Sequence, residues 1–548
     1  MKKTIYLLLL VVFGCSPRPG TVIAPWVPYD ESAELAANAE HRNRKMRFVL
    51  IQSRVSDKNS MLASAAPQIK NFTEEDYQAL MPLIFEQDIP TIQSHVMAGH
   101  LTYERLTQWY IYRIVKFETD RDKYLNAVIA INPNAVKEAR RRDREARREA
   151  THLIYGMPVL LKDNINTEGM ATTAGAVALQ NNHPADAFIT TQLKNRGAII
   201  LGKTNLTEWA NFLSANSPNG YSAIGGQTLN PYGRKLFDTG GSSSGSGAAM
   251  AANFATAAVG TETSGSILSP SGKSSVVGLK PTVGFYSRSG IVPISSTYDT
   301  PGPMTRSVID NAILLSAMTG TDLDDPITLD SPLHENYCED VKEGTLEGLR
   351  FGVTAQFMRD SLFRLTAEKI ASLGGVIVEY EPVSVPFERF SMVLGADMKA
   401  DLAAYLEKHA SAEITLRSVA EVREFNRQDS VNRIPYGQTI FNGMLRENLA
   451  GEELEKTKAA LHESGVTYFD KPMTEHNLDA VLSVNNSSAG MAATAAYPCL
   501  TVPMGYTTAG EPVSLTFIAR PFEEDKLLKM GYAFEKATKI RNAPERYR

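Results

Sequence analysis

The sequence predicts an α/β fold. Three short apolar runs carry that reading: MPVLL at 157–161, AIIL at 198–201 and TAAV at 256–259. Each has the length of a buried strand. Stretches of helical character separate them, at 188–196 and in the alanine-rich 245–252. Strands alternating with helices argue for a sheet built through helical crossovers.

The same alternation returns further on. LRFGV at 349–353 reads as a strand, 364–373 as a helix and VIV at 376–378 as a strand. Residues 478–484 and 500–502 also read as strands, and 390–465 is mostly helical and polar. Ahead of the sheet, 72–150 reads as helical. Thr73 is an N-cap candidate followed by Glu74, Glu75 and Asp76. LTYER at 101–105 is a second start, with Leu106, Tyr110, Ile114 and Val115 at helical spacing. The arginine-dense stretch 137–148 is interrupted by Glu138, Asp143, Glu145 and Glu149, so it reads as a solvated helix face rather than a nucleic-acid patch.

Composition narrows the function classes. Of 548 residues 43% are apolar and 21% charged, which is globular. The net charge is −5, which gives no general attraction to nucleic acid or to anionic lipid. No internal repeat is present.

The chain begins MKKTIYLLLLVVFGC. Lys2 and Lys3 precede an apolar stretch too short to span a bilayer, which needs roughly 20 residues. This is the pattern of an export signal over 1–14. VFGC at 12–15 resembles a bacterial lipobox, which makes Cys15 the expected lipid-modified N-terminus. SPRPG at 16–20 suits an extended tether, and 15–70 is set apart as tether and N-terminal segment. The expected place is the cell envelope or periplasm, with membrane contact only through that lipid. Cys338 and Cys499 can form one bridge at most. C-x-x-C and H-E-x-x-H are absent, so neither a metal nor a cofactor is expected.

The chemistry turns on DTGGSSSGSGAAM at 238–250. Its GSSSG matches the G-x-S-x-G nucleophile elbow, with Ser243 as nucleophile of an α/β-hydrolase esterase. An elbow needs a strand running into it, whereas PYGRKLFDTG at 231–240 is polar and turn-like. It also needs a histidine, and His409, His462 and His476 lie in no suggestive setting. A flexible linker is the wrong reading for a segment inside the α/β region.

A second Ser/Gly turn, GTETSGSI at 260–267, follows the strand-like 256–259. One helix and one strand join the two turns, so they can face each other at one end of a sheet. MPVLL ends directly in Lys162. Burial disfavours an ammonium, which makes such a lysine a usable base near neutral pH. Serine with lysine as base is a known alternative to Ser-His-Asp.

These stretches resemble the amidase signature family. GMPVLLKDNI from 156, GAIILGKTNLTEWA from 197, GGQTLNP from 225 and GGSSSGSGAAMAA from 240 match it. GTETSGSI from 260, VVGLKPTVG from 276, GIVPISSTYDTPGPM from 290, YPCLTVPMG from 497 and VSLTFIARPFEEDKLL from 513 follow in the family's order. RIPYGQTIF from 433 is most similar to the bacterial peptide amidases. The resemblance implies one large domain over 71–545. Its parts are a helical 71–150, a catalytic core at 151–320 and a C-terminal part at 321–545. It also implies a mixed, twisted central sheet covered by helices on both faces.

The resemblance further implies a Ser–cis-Ser–Lys triad. Lys162 matches the base, Ser242 the bridging serine with a cis peptide bond, and Ser266 the nucleophile. Backbone N–H groups of Thr263, Ser264, Gly265 and Ser266 would hold the oxyanion. Gly240, Gly241 and Ser243 would support the site. The implied reaction is hydrolysis of a linear carboxamide, such as a C-terminal peptide amide, to carboxylate and ammonia through a seryl ester. The partner is then a small-molecule or peptide amide. The export signal argues against the family's tRNA-amidating members.

Three positions depart from the family's pattern. Leu268 stands where many relatives carry Arg, Ser264 where they carry Gly or Asp, and LIYG at 153–156 replaces Leu-His-Gly. Two alternatives stand beside the amidase: an inactive relative that only binds peptides or amides, and the esterase using Ser243.

Overall fold

The computed structural model describes residues 23–149, 152–331 and 337–548. The expected signal, Cys15 and the first residues of the tether lie outside them. An eleven-stranded mixed sheet organises the chain. Its strands, in chain order, begin with β1 (Val128–Ile131), β2 (Pro158–Lys162) and β3 (Ile199–Thr204). A separate hairpin, β4 (Tyr221–Ser222) and β5 (Gly226–Gln227), intervenes. The sheet continues with β6 (Ala257–Glu262), β7 (Val277–Lys280), β8 (Thr300–Thr305), β9 (Arg350–Thr354) and β10 (Val376–Tyr380). It is completed by β11 (Ala480–Val484), β12 (Cys499–Tyr506) and β13 (Pro512–Ile518).

The spatial order is β1-β3-β2-β6-β8-β7-β12-β13-β11-β9-β10. β3, β2 and β6 run parallel, as do β11, β9 and β10; the strands between them are antiparallel. Every residue of β2, β3, β6, β7 and β8 is buried, while the edge strand β10 is mostly exposed or half-buried. That is the pattern of a sheet covered on both faces at its centre. The flanking helices include Ser244–Ala251, Leu268–Lys273, Val308–Ala317 and Glu524–Thr538.

The apolar runs become β2, β3 and β6, each displaced by a residue or more toward its C-terminal end. Thr73 caps Glu74–Ile84 with a reciprocal Thr73–Asp76 pair, and Thr102 caps Tyr103–Glu118. The arginine-dense segment is the helix Ala135–Glu149, whose Ala135, Val136 and Ala139 are buried while Arg140 pairs with Glu104 at 2.8 Å. Cys338 and Cys499 are both buried and unbridged. From residue 23 on, the N-terminal segment is packed rather than extended. Trp26, Met46, Phe48 and Ile51 join the main core, and Glu31 accepts from the N–H groups of Ile51 (3.1 Å) and Gln52 (2.7 Å). Among the described residues no helix is long and apolar enough to cross a membrane.

A second apolar cluster lies under the 390–445 helices, with Met398, Leu402, Tyr405, Val422 and Phe441 around Trp209. It seats that helical region beside the C-terminal ends of β2 and β6.

The helix Ser244–Ala251 needs close approach to the sheet. A Cβ on Gly245 would stand 2.4 Å from the Asn205 carbonyl oxygen and 2.5 Å from that of Ala127. Backbone on two sides cannot yield, so Gly245→Ala is expected to lower unfolding free energy by about 1–3 kcal/mol. Chemical denaturation of the two proteins measures it; an unchanged midpoint would contradict this packing.

Candidate active site

Lys162 closes β2, and its side chain is fully buried. The strand's apolar residues draw it inward, and it cannot reach water. Its Nζ lies 2.8 Å from Ser242 Oγ, 2.9 Å from Thr261 Oγ1 and 3.1 Å from the Thr261 carbonyl oxygen. Burial lowers its pKa to about 7; the carboxylates of Asp299 and Glu262 oppose that shift. β6 pairs parallel with β2, Leu161 opposite Val259, so Thr261 is delivered to the lysine by sheet register.

Ser242 enters from the other turn. The Gly241–Ser242 peptide bond is cis, and Gly240 has a φ of +67°. A Cβ on Gly240 would meet the backbone N of Pro270 at 2.7 Å. The positive φ and the closeness of that chain both demand glycine. The carbonyl of Ser242 accepts from Thr207 N–H at 3.0 Å, and Ser244 Oγ donates to the Gly240 carbonyl at 2.6 Å.

Ser243 is sealed in. It is fully buried, its Oγ donates to the Thr261 carbonyl at 3.1 Å and accepts from Thr261 N–H at 3.2 Å. A strand does not run into it. Its own N–H donates to the Ser266 carbonyl at 3.1 Å, which stitches the two Ser/Gly turns together. Ser266, at 8% exposure, ends the turn that follows β6. Lys162 and Ser242 are therefore in direct contact, and Ser266 is joined to them through the backbone of Ser243.

Two carboxylates that sequence reasoning passed over shape the Ser266 turn. Glu262, at the end of β6, is 1% exposed. It accepts from the N–H groups of Gly265 (2.6 Å), Ile267 (2.6 Å) and Leu268 (3.0 Å). Burial pushes its carboxyl up, against the donors that favour the ionised form. Asp299, pushed up to about 6 by burial, accepts from Thr263 Oγ1 at 2.5 Å and from the N–H groups of Ile294 (2.8 Å) and Ser295 (2.9 Å). Both residues stood inside quoted motifs, GTETSGSI and STYDTPGPM. An acid next to a nucleophile turn was the available signal.

Glu262 narrows the set of N–H groups expected to hold an oxyanion. The N–H of Gly265 is committed to its carboxylate, because a buried carboxylate must be satisfied. Among the described residues no hydrogen bond occupies the N–H groups of Thr263, Ser264 or Ser266.

A second buried lysine, Lys203 on β3, contrasts with Lys162. It donates to the Ile165 carbonyl and to Thr172 Oγ1 (2.9 Å), and pairs with Asp163 at 3.5 Å. Its pKa is lowered to about 8 by burial, with Asp163 opposing. Having a carboxylate partner, it braces the loop after β2 rather than serving as a base.

This geometry belongs to a family. The protein-family model described as Amidase matches residues 106–528, and the chain is a member of that family. It is 34% identical to the probable amidase At4g34880 of Arabidopsis thaliana, over 84% of this chain and 92% of that protein. Among solved structures, an amidase family protein from Bacillus anthracis superposes with a TM-score of 0.85 at 36% identity, covering 89% of this chain and 98% of the other. The native peptide amidase from Stenotrophomonas maltophilia gives 0.79 at 38% identity, over 84% and 99%. The protein is an amidase, a hydrolase of carbon–nitrogen bonds in linear amides.

Glu262→Gln is expected to lower unfolding free energy by about 1–3 kcal/mol, since an amide nitrogen would face N–H donors. Thermal denaturation reads it. A variant as stable as the parent would mean that the carboxylate does not hold the turn.

Proposed function

We propose that the protein hydrolyses the terminal carboxamide of a peptide or peptide-like substrate through a seryl ester on Ser266, with Ser242 and Lys162 moving the proton. The contact between Lys162 Nζ and Ser242 Oγ at 2.8 Å, in full burial, carries this reading. The peptide amidase among the solved relatives supports the substrate class.

A neutral lysine has two N–H donors and one lone pair. The Thr261 carbonyl can only accept, so it takes one N–H. Thr261 Oγ1 can take the second. The lone pair is then left for the hydroxyl proton of Ser242. Ser242 in turn withdraws the proton of Ser266, whose oxygen attacks the amide carbon. The oxyanion meets the N–H groups of Thr263, Ser264 and Ser266. The carbon–nitrogen bond breaks as the proton returns through Ser242 to the nitrogen, which leaves as ammonia. Water then cleaves the ester, releasing the carboxylate and Ser266.

Ammonia release from acetylated amino-acid amides tests the reading. Ser266→Ala is expected to abolish it together with labelling by a fluorophosphonate probe. Lys162→Ala is expected to lower kcat about 10²–10⁴-fold. The protonated amine has no lone pair, so kcat/KM should rise with pH through about 7, the pKa of Lys162. Labelling that survives Ser266→Ala would sink the mechanism.

The same proposal places the enzyme in the cell envelope, tethered by a lipid on Cys15; the leader sequence supports it. Full-length protein should enter the detergent phase on Triton X-114 partition, and Cys15→Ser should return it to the aqueous phase. Aqueous behaviour of both would remove the anchor.

A further inference from the structure

A cavity of about 270 Å³ opens beside the Ser266 turn. Thr261 and Thr263 form part of its wall, so it begins three residues from the nucleophile. The 288–301 loop and the helix Phe390–Lys408 supply most of the rest, much of it apolar, as at Val292, Ile294 and Ala404.

The charges around it do not balance. Four aspartates line it, Asp299, Asp324, Asp325 and Asp401, against Arg288 and Lys408. Both cations are already engaged. Arg288 grips Asp325 through Nε at 2.9 Å and Nη2 at 2.6 Å, and Lys408 pairs with Asp324 at 3.2 Å. His409, on the wall, is held toward its neutral form by burial. Behind Asp401, Asp397 is paired with Lys458 at 2.9 Å. Among the described residues, Asp299 and Asp401 have no cation within ion-pair distance. Asp401 accepts from Ser296 N–H at 2.6 Å, and the Ser296 side chain bonds to it as well.

Asn164 adds an independent observation. It lines the cavity and is 2% exposed. Its Nδ2 donates to Thr261 Oγ1 (3.0 Å) and to the Val292 carbonyl (3.3 Å). A carbonyl can only accept, which fixes the orientation of the amide. Its Oδ1 is then a buried acceptor with no partner. Such a group is unfavourable until a donor reaches it.

We propose that this cavity binds a primary ammonium carried by the acyl half of the substrate, which makes terminal amides of lysine-like residues the preferred substrates. The inference rests on the amidase reading above. An ammonium brings three donors and a positive charge. The cavity offers two carboxylates with no cation within ion-pair distance among the described residues, and one orphan amide oxygen. The apolar walls suit the methylene stem that carries the charge. The leaving group is ammonia and has no substituent, so the ammonium belongs to the part of the substrate that is acylated onto Ser266. Burial raises the pKa of both Asp299 and Asp401, while Arg288 acting on the first and Lys458 on the second, from beyond ion-pair distance, oppose it.

Acetyl-lysinamide and acetyl-norleucinamide differ by the charged group. Ammonia release at pH 8 and low salt should give a kcat/KM ratio of at least about tenfold in favour of lysinamide. The ratio should shrink in 0.5 M NaCl, since screening weakens the attraction. Asp401→Asn should bring it to within about threefold. A wild-type ratio at or below one would overturn the subsite while leaving the amidase reading intact. So would a ratio that Asp401→Asn does not change. If neither amide is hydrolysed, the amidase reading fails and the subsite with it. The wild-type ratio and its salt dependence decide the matter even if the variant does not fold.

Discussion

Everything at the site depends on taking one amine out of water. Lys162 sits at the end of a strand whose five residues are all buried, and no carboxylate lies within hydrogen-bond reach of its Nζ. Desolvation then outweighs the opposing pull of the Asp299 and Glu262 carboxylates and brings its pKa to about 7. Lys203, one strand away and equally buried, has Asp163 beside it and a pKa nearer 8. The two lysines differ less in burial than in company. A base comes from withholding the counter-ion, and a brace from supplying it.

The second constraint is that two loops must meet at that amine. β6 brings Thr261 and the turn after it Ser266, and the loop before the helix Ser244–Ala251 brings Ser242. Parallel pairing of β2 and β6 places their C-terminal ends together. The two loops are then locked by short-range bonds: Ser243 to Thr261 in both directions, and Ser243 N–H to the Ser266 carbonyl. Glu262 and Asp299 hold the turn from beneath and from the side. Buried carboxylates accepting backbone N–H groups fix a loop more firmly than side-chain packing would, because leaving those donors unmet is costly.

Much of the fold was legible because buried parallel strands read as continuous apolar runs. β2, β3, β6 and β9 announced themselves that way, and the edge strand β10 by its β-branched VIV. β8 did not. Its sequence is TPGPMT, and prolines argue against a central strand. It is tolerated because β7 pairs only with Met304 and Thr305. The N–H groups that proline lacks at 301 and 303 have no ladder to serve on that side. β1 was hidden because VIAI lies between two helical stretches and is only half-buried at its centre. The packed course of residues 23–70 was invisible for another reason. Its anchors, such as Glu31 on Ile51 and Gln52, are pairwise contacts with no periodicity to reveal them.

The sequence by itself determined the α/β class, the lysine at a strand end and the two Ser/Gly turns, since apolar periodicity and glycine placement are local properties of the chain. It also pointed away from Ser243, the middle serine of the GSSSG match, because a polar turn precedes it. Only the tertiary structure decided the rest. It joined Lys162 to Ser242 and Thr261, committed the Gly265 N–H to Glu262, and set Asp401, without an ion pair among the described residues, and the unpartnered Asn164 oxygen in the wall of one cavity. Those outcomes depend on which residues from distant segments share a buried volume, and on whether each polar group there finds a partner. A linear pattern does not encode that accounting; the folded geometry does.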